Sequence, residues 1–216
     1  MKISIYIDGF NLYYGQLKNT QHKWLNLHKM CSLLFPHDEI ISIKYFTAAI
    51  KIRNDEDQIK TTRQMLYWRA LRTLPTLEII EGIFLQHKVH MKLVDKAGYA
   101  EVFKSEEKGT DVNIASHLIN DAHNHVFEKA VVISNDSDLV TPIRIVTNEL
   151  DLPVVTVSPF DKNNFQLRSV SSGIKQIREG LLSVSQFDKT LEDSVGKFVI
   201  PSAWDKKSNN SISLLI

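Results

Sequence analysis

Short β-branched runs that recur between stretches of helical periodicity constrain this chain more than any other feature. They are "ISIYI" (3–7), "ISIKYFTAAI" (41–50), "TLEIIEGIFL" (76–85), "AVVIS" (130–134) and "PVVTV" (153–157). Near-continuous apolar runs of this length suit strands buried on both faces, and their alternation with helical segments predicts βαβ units and a mainly parallel central sheet. One intervening helix is expected in "NDEDQIKTTRQMLYWRALRTL", which is acidic at its start and basic later, with Ile59, Leu66, Ala70 and Leu74 near helical spacing. A second is expected in "DVNIASHLINDAHNHVF", with Gly109 or Thr110 at the cap position and Ala115, Leu118, Ala122 and Val126 on one side. Its histidines do not share a face: His117 and His125 lie roughly 80° apart on a helix and His123 points elsewhere, so they read as a solvated polar face.

"HMKLV" and "YAEVF" flank "DKAG" as a hairpin that should project from the sheet edge. After residue 180 the pattern weakens into a short helix at "LLSVSQF", a brief strand at "GKFVIP" and a polar tail ending in Leu214, Leu215 and Ile216. The expected organisation is therefore a three-layer α/β domain over 1–180 and a C-terminal extension or tail over 181–216. A length of 216 residues, 43% of them hydrophobic, suffices for one such core.

The acidic residues fall at particular places on this frame. Asp8 ends the first strand, with Gly9 and Asn11 directly after it, and "SNDSD" sets Asp136 and Asp138 just past "AVVIS". In an open parallel sheet all the C-terminal strand ends share one edge, where ligands bind. Asp111 opens the helix that leads back into "AVVIS", so its end of that helix belongs to the same edge. Four carboxylates are thereby expected to converge. Clustered anions repel and raise each other's pKa unless a cation compensates. Oxygen donors with an amide and no cysteine suit Mg²⁺ or Mn²⁺ rather than zinc, and such ions activate water for attack on phosphodiesters. Taken singly, each acid has a plainer use: Asp138 as a helix N-cap, Asp111 as a first-turn carboxylate, Asp8 and Asn11 as turn formers. Gly9 lets the backbone turn closely beside them.

Lys51 and Arg53 follow the second strand, and Lys60 and Arg63 lie in the early turns of the next helix, so these four form a candidate phosphate-binding path. The formal net charge of +1 supplies no global attraction to nucleic acid, leaving any such binding to local patches or metal. The lone Cys31 excludes an internal disulfide and reads as a small buried hydrophobe. No signal-peptide pattern or run of about 18 apolar residues is present, which predicts a cytoplasmic protein away from membranes.

Three ordered segments, "YIDGFNLYYG", "EEKGTDVNIAS" and "VVISNDSDLVTPI", resemble the NYN domain, a branch of the PIN-like nuclease fold that includes the LabA-like bacterial proteins. The resemblance covers about residues 1–180. It implies a Rossmann-like three-layer fold and a metal-dependent ribonuclease acting on RNA, with single-stranded RNA the expected partner and homo-oligomerisation left open. It also implies that Asp8, Asn11, Asp111, Asp136 and Asp138 form the catalytic pocket, the four carboxylates holding Mg²⁺ or Mn²⁺. The family's late aspartate has no counterpart: "LRSVSSGI" offers Ser171 and Ser172. A degenerate module that binds RNA or protein without cleavage is the alternative. "DSDLV" also matches a haloacid-dehalogenase-type phosphatase motif, but that motif belongs on the first strand, and here fewer than half of the residues follow it.

Overall fold

The computed structural model describes residues 1–50, 55–94, 97–162 and 164–205. Lys51 and Arg53 of the expected phosphate path, and the apolar end of the tail, lie outside the described residues. Among those described, no helix is long and apolar enough to cross a membrane.

Among the described residues, nine strands and seven α-helical segments follow in order. They are β1 (Lys2–Asp8), α1 (Gly9–Leu12), α2 (Leu27–Leu34), β2 (Glu39–Ala48), α3 (Asp55–Leu71), β3 (Leu77–Lys92), β4 (Tyr99–Lys108), α4 (Thr110–His123), β5 (Lys129–Ile133), α5 (Val140–Arg144), β6 (Val154–Ser158), α6 (Phe165–Val170), β7 (Gly173–Gln176), α7 (Glu179–Val184), β8 (Thr190–Asp193) and β9 (Gly196–Val199). Seven strands form one sheet in the order β4-β3-β2-β1-β5-β6-β7, and all neighbours are parallel except β3 and β4. All five apolar runs are strands of this sheet. β7, four residues long and half-exposed at the edge, carries too weak a pattern to be recognised in advance.

β1 lies at the centre, flanked by β2 and β5, and buries every residue from Ile3 to Asp8. Its odd-numbered isoleucines Ile3, Ile5 and Ile7 face one core with Trp24, Met30, Cys31, Tyr67, Trp68 and Leu71. Tyr6 faces the other, with Phe46, Ile114, Leu118, Phe127 and Ile143. The period-two alternation of a strand thus sorts β1 between two helical layers. Cys31 is fully buried, and burial pushes its thiol up to about 12, which removes it from thiolate chemistry.

The hairpin is longer than the sequence suggests. β3 is a single strand whose first part, Leu77–Gly82, pairs with β2, while Ile83–Lys92 pairs with β4 in a ribbon beyond the sheet. "TLEIIEGIFL" and "HMKLV" look separate because His87 and Lys88 interrupt the apolar pattern. A ribbon with water on both faces tolerates such residues.

The C-terminal segment packs onto the same core, since Leu182, Phe187 and Phe198 join the β1 isoleucines. Arg69 on α3 donates two 2.7 Å hydrogen bonds to the Asp193 carboxylate and stacks 4.2 Å from the Phe198 ring, fastening the β8–β9 hairpin to α3. The Arg69 guanidinium holds Asp193 well below the usual carboxylate range.

The helix α4 is capped by Gly109 at φ 100°, a conformation that costs glycine little and other residues much. His123 and His125 are exposed, as a polar face requires. His117 differs: it turns inward, edge-on to Phe46 at 5.6 Å, with its Nδ1 3.2 Å from Lys44 Nζ.

Candidate functional site

Parallel pairing builds the site directly. β1 and β5 align Ile7 with Ile133, so the next residues, Asp8 and Ser134, emerge side by side at the C-terminal edge. Asp8 is only 2% exposed and ends β1 as the N-cap of α1. Its Oδ1 accepts the backbone N–H of Asn11 at 2.9 Å, and its Oδ2 accepts Asn11 Nδ2 at 2.6 Å and Ser134 Oγ at 2.9 Å. Three donors thus fix a carboxylate that burial would otherwise neutralise. Burial still dominates and raises the Asp8 pKa above its ordinary value, the three hydrogen bonds oppose it, and the charge of Asp136 adds to the rise.

Asp136 stands beside Asp8 at the mouth of the pocket. Its backbone N–H donates to Ser134 Oγ at 3.1 Å, and its Oδ1 accepts the N–H of Asp138 at 3.0 Å. Asp136, not Asp138, is therefore the cap of the short turn Ser137–Leu139. β5 ends at Ile133 and the turn begins at Ser137, which leaves the capping position to Asp136 and puts Asp138 in solvent.

Asp111 lies in the first turn of α4, half-buried, and α4 packs against β1, β2 and the Ser137–Leu139 turn. Its end of α4 therefore sits on the pocket's edge of the sheet. Side-chain convergence is looser than the four-carboxylate expectation. Among the described residues, no group of three or more histidine, cysteine, aspartate or glutamate side chains stands close enough to hold a metal ion. The structure brings Asp8, Asn11 and Asp136 together, with Asp138 joined through its amide.

Two further residues of the "SNDSD" loop complete the edge. Asn135 bridges three loops: its N–H donates to Asn11 Oδ1 at 3.2 Å, its Oδ1 accepts the N–H of Asn164 at 2.8 Å, and its Nδ2 donates to the Lys162 carbonyl at 3.2 Å. Ser134 does carry a signal, since a polar residue ending a buried parallel strand faces the ligand edge. Ser171 and Ser172 do not belong to this pocket. Ser172 exchanges hydrogen bonds with Val154 at the start of β6, and Ser171 Oγ donates to the Leu167 carbonyl at the C-terminal end of α6. Ser172 thus sits at the N-terminal end of β6, and Ser171 Oγ accepts the Thr156 hydroxyl at 3.1 Å midway along that strand. The late polar segment at the pocket is instead the β6–α6 loop around Asn164.

Gly9 is required for closeness rather than for an unusual φ. A Cβ there would lie 2.7 Å from the Phe46 carbonyl oxygen and 2.8 Å from the Tyr45 ring. Because backbone of β2 would have to move, Gly9→Ala should cost about 1–3 kcal/mol, read as a lowered denaturant midpoint with an unchanged m-value.

Burial raises the pKa of the Tyr13 hydroxyl, and the charges of Lys60 and Arg63 on α3 oppose that rise.

A parallel sheet whose C-terminal edge gathers Asp8 and Asn11 from the β1–α1 junction and Asp136 from the turn after β5 is the arrangement of a PIN-like α/β domain, the nuclease-type branch of Rossmann-like folds. The sequence matches the NYN domain over residues 2–174, and the chain belongs to that family. A protein called 6-hydroxy-3-succinoylpyridine 3-monooxygenase HspA, from Pseudomonas putida (strain DSM 28022 / S16), is 31% identical to it. The match covers 76% of this chain and 61% of that protein, so the chain spans about three fifths of its relative's length. Among solved structures, a protein of unknown function from Vibrio parahaemolyticus RIMD 2210633 superposes with a TM-score of 0.53 at 17% identity, covering 82% of this chain and 93% of the other. That likeness supports the fold alone.

Proposed function

We propose that this protein is a divalent-metal-dependent ribonuclease that hydrolyses single-stranded RNA at the Asp8–Asp136 edge. The observation that carries the reading is the buried Asp8 carboxylate, oriented by three donors and set against the like charge of Asp136. Two neighbouring carboxylates with amide and hydroxyl oxygens fit Mg²⁺ or Mn²⁺, because Mg²⁺ keeps several waters and takes only one or two protein carboxylates plus substrate phosphate. Asp8 and Asp136 would hold the ion, with Asp111 and Asp138 reaching it through water. When bound, it would supply a lowered pKa for water and neutralise charge developing on the phosphate.

The chain's own groups do the rest. Asn11 and Ser134 keep the Asp8 oxygens aimed. Asn135 locks Asn11 against the β6–α6 loop. Asp138, the exposed acid, takes the proton of the attacking water as its oxygen bonds to phosphorus and the P–O bond opposite breaks, the leaving ribose oxygen taking a proton from solvent. Lys60 and Arg63 hold flanking phosphate. The preference for RNA follows from the family.

Labelled single-stranded RNA should be cut in Mg²⁺ or Mn²⁺ and stay intact in chelator, while a generic phosphomonoester should not be hydrolysed. Binding without cleavage under every metal condition would favour a degenerate binding module. The 31%-identical relative supports a competing reading, tested by consumption of 6-hydroxy-3-succinoylpyridine in air with a two-electron reductant.

Removing Lys60 and Arg63 together should weaken RNA binding and flatten its log–log salt dependence by about 0.7 for each phosphate no longer neutralised. An unchanged slope would take the path elsewhere.

A further inference from the structure

The helix that leaves the pocket carries two tyrosines that the fold does not bury. After α1 the chain continues as one π-helical turn, Tyr13–Leu17, with Leu12 and Leu17 facing the core. Tyr14 is 58% exposed and meets Tyr13 edge-to-face at 5.4 Å. It follows Asn11 by three positions, about one helical turn further from Asp8 than Asn11 is.

This turn is held firmly. A Cβ on Gly15 would lie 2.6 Å from the Pro159 carbonyl oxygen, and Gln16 Nε2 donates to that same oxygen at 2.7 Å. The tyrosines therefore sit on backbone clamped to the β6–α6 loop. Cations gather around them. Lys18 Nζ lies 4.8 Å from the Tyr14 ring centre, and the charges of Lys60 and Arg63 oppose the rise that burial gives the Tyr13 hydroxyl pKa.

The sequence of chemistries running out from Asp8 is thus carboxylate and amide, then an exposed aromatic ring, then positive charge. A nucleic-acid strand presents the matching order: scissile phosphate, base, next phosphate. From this juxtaposition we infer that Tyr14 is a stacking platform for an unpaired nucleobase next to the scissile phosphate, with Lys18, which lies against the ring, on the phosphate beyond it. A base inside a duplex has both faces covered by its neighbours, so the platform selects single strands and splayed loop bases. This subsite rests on the nucleic-acid reading of the pocket but is separable from cleavage.

The test measures binding of a labelled short single-stranded RNA in chelator, where no cut occurs, together with a series in which one base at a time is replaced by an abasic site. Tyr14→Ala should weaken binding about 5- to 150-fold, the range for loss of one base–aromatic stack, and Tyr14→Phe should retain it. One abasic position should weaken the parent protein and make no further difference to Tyr14→Ala. The inference is overturned if Tyr14→Ala binds like the parent, if the parent is indifferent to every abasic position, or if the abasic penalty persists in Tyr14→Ala. Should the abasic pattern hold while no metal supports cleavage, the nuclease reading fails and the base platform stands.

Discussion

Asp8→Asn is expected to lower RNA cleavage by several orders of magnitude in Mg²⁺ or Mn²⁺ while leaving the fold intact. The substitution keeps the shape of a buried side chain and removes one of the two charges that a divalent cation requires. Stability should move the other way. The folded-state pKa of Asp8 is raised, chiefly by burial, so its contribution to stability is full below the ordinary carboxylate range and is lost as pH rises through the raised folded value. In chelator near neutral pH, Asp8→Asn should therefore melt at the parent's temperature or above it, and the stability profile should lose that pH dependence. Asp136→Asn should also lower the Asp8 pKa, because Asp136 contributes to its rise. Cleavage by Asp8→Asn at the parent's rate would remove the proposed mechanism.

The largest expected loss of stability lies away from the pocket. Asp121 on α4 accepts the Tyr6 hydroxyl at 2.6 Å and the Lys44 ammonium at 2.5 Å, all between α4 and the centre of the sheet. Burial first, and then Asp121, hold the Tyr6 hydroxyl well above its ordinary pKa, so it stays a donor. Asp121→Ala would leave the Lys44 charge facing the ring of Tyr6 and His117 with no anion. Breaking such a pair typically costs about 3–5 kcal/mol. For a domain of this size that amounts to a fall in melting temperature of about 6–20 °C. Replacing all three polar partners, Asp121→Leu with Lys44→Met and Tyr6→Phe, should recover most of that loss, since an apolar cluster avoids the desolvation of both ions and leaves no hydroxyl without an acceptor. If the triple substitution is as unstable as Asp121→Ala, the penalty is not that of a stranded charge.

The parallel sheet is legible in the sequence because buried strands announce themselves as apolar runs, and those runs are long enough at Ile3, Ile41, Thr76, Ala130 and Pro153. β7 and the ribbon half of β3 are harder, since edge and two-sided exposed strands lack the burial that creates a pattern. At the site, Asp8, Asn11 and Asp136 can be placed together from strand ends alone. The loop "SNDSD" misleads within its span because capping depends on where β5 stops, a boundary that sequence leaves loose by a residue or two. That looseness exchanges the capping roles of Asp136 and Asp138. Asn135 acts only through loops distant in sequence, at Asn11 and Asn164, so nothing local signals it. The inward turn of His117 is likewise invisible, because it answers to Lys44 and Phe46 across the sheet rather than to its own helix.

The proposed chemistry requires a cation between two aspartates. Crystals soaked in Mn²⁺ and measured at the manganese absorption edge would show it directly. The expected result is an anomalous peak between the carboxylates of Asp8 and Asp136, lost in Asp8→Asn. An empty edge at saturating Mn²⁺ in the parent protein, with RNA cleavage equal in chelator and in metal, would contradict it.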